Sequence, residues 1–158
     1  MRRLTRLIPL VAALAACTKS ETPPADTAAA MAPEPAPAVA PVAVSDADVS
    51  GTWTGTSKAV GTDSVMTHWT QVCGSGSCKG TSTESKATIV STYTLAGDSA
   101  VGVSTPFNGE GAMKGKKLID HWTVHFNGGN ASGTGMMSLA SKPDSAVMSY
   151  TFTGSKKQ

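Results

Sequence analysis

Glycine and aromatic residues are confined to one part of this chain, and that distribution limits what can fold. All 16 glycines and all three Trp, two Tyr and three Phe lie at or after Gly51. Residues 18–50 instead hold ten Ala and six Pro. Such a segment cannot bury a hydrophobic core and favours extended polyproline II conformation. We therefore predict a disordered linker over residues 17–50 and one globular domain over residues 51–158, a length that suits a single modest core.

The predicted domain shows the two-residue periodicity of β-strands and no convincing 3.6-residue period. In residues 117–127, Leu118, Trp122 and Phe126 fall on one face, and His121 and His125 on the other. This pattern predicts an all-β fold, an antiparallel meander that closes into a small up-and-down barrel or a curled sheet. The candidate strands are residues 52–58, 64–73, 78–84, 87–95, 98–105, 110–115, 117–127, 131–140 and 144–153.

The first 16 residues have the features of a secretory signal peptide. Arg2, Arg3 and Arg6 precede an apolar run over residues 7–16. Ten helical residues reach about 15 Å, roughly half of a bilayer's hydrocarbon core, so we do not expect a membrane span.

Removal of residues 1–16 removes every arginine and leaves ten Lys against 11 acidic residues, a formal charge of −1. A chain without Arg is poorly suited to phosphate or guanine contacts, so we expect no nucleic-acid binding.

The apolar run ends in Leu14-Ala15-Ala16-Cys17, which resembles the lipobox of bacterial lipoproteins. The resemblance covers residues 1–17 and implies cleavage before Cys17, lipidation of its thiol and acylation of the new amino group. Several acyl chains would anchor the protein stably to a membrane. Thr18 stands where Asp retains such proteins in the inner membrane, which implies the outer membrane and a domain on its periplasmic or surface face. An ordinary secretory signal peptide is the alternative.

Cys73 and Cys78 remain once Cys17 is assigned to lipidation. In an oxidising compartment we expect them to form a disulfide across a tight turn. A redox or metal pair is the alternative. It is disfavoured because there is no Cys-x-x-Cys motif and no second cysteine pair to complete a zinc site.

Gly51-Thr52-Trp53 resembles the Gly-x-Trp signature of lipocalins, in which the Trp closes one end of an up-and-down barrel. More loosely, the chain resembles small, uncharacterised bacterial lipoproteins with lipocalin-like domains. A pocket for an apolar ligand could be lined by large side chains, but in a domain of 108 residues we expect these side chains to fill the barrel. The candidate pocket residues are Trp53, Trp69, Trp122, Met148 and Tyr150.

Neither catalysis nor a metal or other cofactor is predicted. No Gly-x-Ser-x-Gly elbow is present, and the domain's six acidic residues mostly adjoin turn residues, where carboxylates are usually solvated. His121 and His125 are too far apart on one strand to hold a metal together unless the strand bends, and one of them could share a metal with His68 only if their strands lay side by side. We therefore predict a non-catalytic binding or envelope-associated module. The alternatives are a lipocalin-type carrier of a small apolar ligand and a periplasmic inhibitor of a lysozyme or protease that uses the Cys73–Cys78 loop.

Overall fold

A computed structural model of the chain describes residues 42–158. The predicted signal peptide, Cys17 and most of the predicted linker lie outside these residues. The described part contains one helical turn, one 3-10 turn and nine strands. They are α1 (Asp46–Val49), β1 (Gly51–Ala59), β2 (Val65–Gly74), β3 (Ser77–Ser82), β4 (Thr88–Ala96), β5 (Ser99–Ser104), β6 (Phe107–Asn108), the 3-10 turn Gly111–Met113, β7 (Lys117–Asn127), β8 (Asn130–Leu139) and β9 (Lys142–Lys156). Within residues 42–158, no helix is long and apolar enough to cross a membrane.

Eight of the strands form a closed antiparallel barrel. Each strand pairs with its neighbours in sequence, except that β5 pairs with β7 and β1 pairs with β9, and these two pairings close the ring. The short β6 pairs only with the start of β7, at Phe107↔Leu118 and Asn108↔Lys117. The predicted all-β meander that closes into a small up-and-down barrel is confirmed.

The strand predicted over residues 110–115 is wrong. The chain instead makes a 3-10 turn at Gly111–Met113, because Gly111 (φ 54°) and Gly115 (φ 82°) adopt left-handed conformations that interrupt an extended strand. A hydrogen bond of 2.8 Å from Gly109 N to Lys116 O closes this excursion and returns the chain to β7.

Inward and outward residues alternate in β7 as the sequence predicts. Leu118, Asp120 and Val124 are buried, whereas His125 is exposed on the opposite face. The outward side chains of the barrel are mostly Thr, Ser, Val and Lys. The inward face of β7 therefore belongs to the interior, and it carries a carboxylate among its apolar residues.

The folded domain begins before the predicted boundary at Gly51. Val49, in α1, is only 1% exposed and packs in the core. Ser45 begins α1 with a capping box to Asp48, and Val44 N donates a 2.9 Å hydrogen bond to Gly97 O. Residues 44–50 are thus part of the domain rather than of the linker, because Val49 supplies an apolar side chain that closes one end of the barrel.

Candidate functional site

The barrel interior is filled at the end where α1 packs, here called the α1 end. Trp53 donates a 2.8 Å hydrogen bond from Nε1 to Val49 O, and its ring centroid lies 5.2 Å from that of Phe126. Val124 and Ala131 complete this cluster. Only about 30 Å³ of space is left there, so the expected filling of the barrel is found at this end.

The opposite half of the interior contains a cavity of about 140 Å³. It lies at the far end, where β1 and β3 end and β2 and β4 begin. Its wall combines aromatic rings with small hydroxyl and glycine residues. The lining residues are Ser57, Met66, Thr67, Trp69, Gln71, Gly80, Thr81, Ser82, Ile89, Ser91, Asp120, Trp122, Met137, Tyr150 and Phe152. A space of this size accepts a molecule comparable to benzene.

The structure brings three of the five predicted pocket residues to this cavity. Trp69, Trp122 and Tyr150 line it. Trp53 packs at the α1 end instead, as the lipocalin resemblance implies. Met148 is half-buried on β9 opposite Met137 and does not belong to the lining.

Each of the four aromatic residues of the cavity lies opposite a glycine on the neighbouring strand. The pairs, called here the aromatic–glycine pairs, are Trp69↔Gly55, Trp122↔Gly102, Phe152↔Gly133 and Tyr150↔Gly135. A Cβ atom built on any of these glycines would overlap the ring of its partner. The rings therefore occupy the space that side chains at the glycines would take, and they stay against the barrel wall.

Asp120 places a carboxyl group inside this wall. The residue is 7% exposed, and its Oδ2 accepts a 2.7 Å hydrogen bond from the hydroxyl of Tyr150. The backbone N–H of Asp120 donates to Ser104 Oγ at 2.9 Å. Among residues 42–158, no group hydrogen-bonds to Asp120 Oδ1. Burial raises the pKa of Asp120 to about 7, against a smaller lowering by the Tyr150 hydroxyl.

Sequence reasoning missed Asp120 as a site residue, since it grouped this residue with acids that are usually solvated. A signal was present, because the alternation of β7 places Asp120 on the same face as Leu118 and Trp122. Its partner Tyr150 lies 30 residues further along the chain. That contact depends on the β7–β8 register and on the β8–β9 register, which shifts near Met137 and Ser138.

The histidines lie outside the barrel interior and far from one another. His68 is on β2, which lies across the ring from β7, the strand of His121 and His125. The strand arrangement therefore keeps His68 from sharing a metal ion with either of them. No group of three or more His, Cys, Asp or Glu residues in residues 42–158 is arranged to hold a metal ion.

A hydrogen-bond network around the carboxylate of Glu84 lies at the far end of the barrel. Glu84 Oε1 lies 2.6 Å from His68 Nδ1, and Glu84 Oε2 accepts a 2.6 Å hydrogen bond from Thr67 Oγ1. The backbone N–H of His68 also donates to this carboxylate. The hydrogen bond from Thr67, followed by those from His68, lowers the pKa of Glu84 to about 2. This ionised group fixes the turn that follows β3.

Ser99, His125 and Asp98 form a surface cluster whose order differs from that of a catalytic triad. Ser99 Oγ donates to Asp98 Oδ1 at 2.7 Å and lies 2.9 Å from His125 Nδ1. The serine thus stands between the acid and the histidine, whereas in a triad the histidine stands between the serine and the acid. With its proton donated to Asp98, the Ser99 hydroxyl has no second proton to give to His125.

The predicted disulfide between Cys73 and Cys78 is confirmed. The two residues face each other across the β2–β3 hairpin, whose turn residues Ser75 and Gly76 have positive φ. Tyr93 N donates a 2.9 Å hydrogen bond to Gly76 O, which ties the turn to β4. The hairpin is therefore short and held against the barrel, unlike a projecting loop that could enter an enzyme's cleft.

Comparison of the chain with protein-family models, with curated proteins and with solved structures finds no match.

Proposed function

We propose that this protein binds a small, largely apolar molecule inside its barrel, as a lipid-anchored protein of the bacterial envelope. The observation that carries the binding proposal is the cavity of about 140 Å³ walled by Trp69, Trp122, Tyr150 and Phe152. Small-molecule sites are typically concave, mostly apolar and equipped with a few polar groups, and Asp120 supplies such a group here. Binding requires no catalytic residue.

The filled α1 end supports this proposal because it makes the interior asymmetric. The Trp53 and Phe126 rings and Val49 close one end, while small residues such as Gly80 and Ser91 leave space at the other. A barrel that served only as a rigid support would gain stability from filling this space, since an empty cavity forfeits packing contacts. The retained space therefore favours a bound molecule.

The binding proposal is tested by titrating the full chain, with Cys17→Ser to prevent lipidation, with toluene and following tryptophan fluorescence. We expect a saturable change because Trp69 and Trp122 line the cavity. Gly80→Leu should abolish that change, since the side chain at this position would enter the cavity. Val90→Leu, on the exposed face of the adjacent strand, is the matched control and should retain it. A linear, unsaturable response in the parent chain would refute binding in the barrel.

The anchoring proposal rests on Leu14-Ala15-Ala16-Cys17 and the basic residues before it. Mass spectrometry of the protein from bacterial membranes should find an acylated Cys17 as the first residue. Cys17→Ser should move the protein from the membrane fraction to a soluble or uncleaved form. An unmodified Cys17, or cleavage at another position, would refute the anchor without affecting the binding proposal.

A further inference from the structure

One oxygen of Asp120 has no hydrogen-bond partner within the described chain, although the residue is more than nine-tenths buried. Oδ2 is engaged by Tyr150, but Oδ1 is bonded to no group of residues 42–158. A buried carboxyl oxygen without a partner carries a large desolvation cost. Because the Asp120 residue belongs to the cavity lining, a cationic molecule bound there would lie beside this under-bonded carboxyl group.

The walls around Asp120 suit a cation better than a neutral donor. Trp69, Trp122 and Tyr150 line the same cavity, and aromatic faces attract ammonium groups. A charge-assisted hydrogen bond to a carboxylate is also roughly twice as strong as a neutral one.

Within residues 42–158, no cationic side chain lies in this cavity. Asp120 and Tyr150 are the only titratable residues in its lining, and the elements packed against Asp120 contribute Ser104, Gly102 and Met137 from β5 and β8. The Lys156 ammonium lies at the α1 end, 5.6 Å from the Trp53 ring centroid, where it donates to Ala47 O. Outside the cavity, the Glu84 carboxylate contacts the lining residues Thr67 and Ser82 and lies 2.6 Å from His68 Nδ1.

We infer that the ligand is a small amphipathic amine whose ammonium group pairs with the Asp120 carboxylate while its apolar part lies among Trp69, Trp122 and Phe152. This inference rests on the proposed binding function and specifies its ligand class. The cavity volume limits the apolar part to about one aromatic ring or a short alkyl chain.

The test compares three probes of similar shape, namely benzylamine, benzyl alcohol and toluene, by fluorescence and calorimetric titration of the full chain with Cys17→Ser. At pH 8 we expect benzylamine to bind roughly 10- to 100-fold more tightly than either neutral probe, the gain typical of a hydrogen bond to a charged group. Asp120→Asn keeps an oxygen acceptor for Tyr150 but removes the charge. It should cancel this preference, so that the variant binds benzylamine and benzyl alcohol equally.

The result that overturns the inference is equal binding of benzylamine and benzyl alcohol by the parent chain. Saturable toluene binding would in that case still support the proposed function, whereas failure of all three probes would refute both. A preference for benzylamine that persists in Asp120→Asn would also overturn the assignment to Asp120.

A measurement on the parent chain covers the case in which Asp120→Asn does not fold. At pH 6 the carboxyl group is largely protonated, because its pKa is about 7. Binding of an ammonium should therefore release a proton, which calorimetry in buffers of different ionisation enthalpy measures directly. Benzyl alcohol should release none, and benzylamine binding without proton release would overturn the inference.

Discussion

The hydroxyl of Tyr150 donates a 2.7 Å hydrogen bond to Asp120 Oδ2 across the barrel interior. This contact joins β9 to β7, two strands that are not neighbours in the sheet. It is the one hydrogen bond that the described chain offers to the carboxylate, and burial opposes ionisation of that group. The pair therefore makes the stability of the barrel sensitive to pH.

Asp120→Asn should remove a pH-dependent loss of stability. Since the pKa of Asp120 is about 7 in the folded protein and 3.8 in its ordinary state, the folded state binds the proton more strongly. The free energy of unfolding should consequently fall as pH rises from about 4 to about 7, by on the order of a few kcal/mol. Urea unfolding at pH 4, 5.5 and 8 measures this slope, the change in the free energy of unfolding with pH. Asp120→Asn should lose it and be more stable than the parent chain at pH 8.

An exposed acid provides the control for that experiment. Asp144→Asn, at the start of β9, should leave the slope between pH 4 and 7 unchanged. A slope in Asp120→Asn equal to that of the parent chain would show that another group causes the pH dependence.

Gly102→Ala should destabilise the barrel and disturb the cavity. The new Cβ would overlap the indole of Trp122, and forced overpacking typically costs about 1–3 kcal/mol. Gly74→Ala, outside the cavity lining, is the matched control, because the nearest atom to its Cβ, Ser50 Oγ, lies 3.8 Å away. Chemical denaturation and toluene titration of both variants measure the two effects. Similar stability of the two variants would contradict the proposed role of the aromatic–glycine pairs.

Val49→Ala should weaken the whole domain although Val49 precedes the first strand. The side chain is 1% exposed, and loss of its two methyl groups should cost about 1–3 kcal/mol. Val147→Ala, at a position that is 39% exposed, should change the free energy of unfolding by less than about 0.5 kcal/mol. If the two variants had the same free energy of unfolding, α1 would not contribute to the core.

Glu84→Gln should loosen the turn after β3 without unfolding the barrel. The ionised carboxylate accepts hydrogen bonds from Thr67 and His68, and its pKa of about 2 keeps it charged at all but very acidic pH. We expect faster amide hydrogen exchange at His68 in the variant, measured by NMR at pH 6. Glu110→Gln, beside the 3-10 turn, should leave that rate unchanged. In the parent chain, the His68 amide should stay protected from hydrogen exchange as pH falls, and this protection should disappear only near pH 2.

Local periodicity was sufficient to predict the barrel because its strands carry alternating patterns that do not depend on distant residues. Leu118, Trp122 and Phe126 share a face whatever their partners are. The four residues of α1 are too few to show a period, and their role depends on the opening that Val49 closes. Likewise, glycines 111 and 115 convert a predicted strand into a turn through their own dihedral angles.

The cavity could not be predicted from the sequence for a different reason. Its volume depends on which aromatic ring faces which glycine, and that follows from the register of three separate strand pairs. A shift of one residue in any of them would reverse the side chains between interior and surface. The sequence shows that the side chains of Trp69, Trp122 and Tyr150 are large. It does not show that the folded barrel leaves a cavity beside them.

Closure of the ring through β1 and β9 has a consequence for how the protein folds. The pairing joins Trp53 to Lys156, so the barrel cannot close until almost the entire chain has been synthesised. Contacts between such distant segments require a large loss of chain entropy before they form, and folding rates fall as these contacts dominate. The protein should thus acquire its cavity only after its last strand has been synthesised.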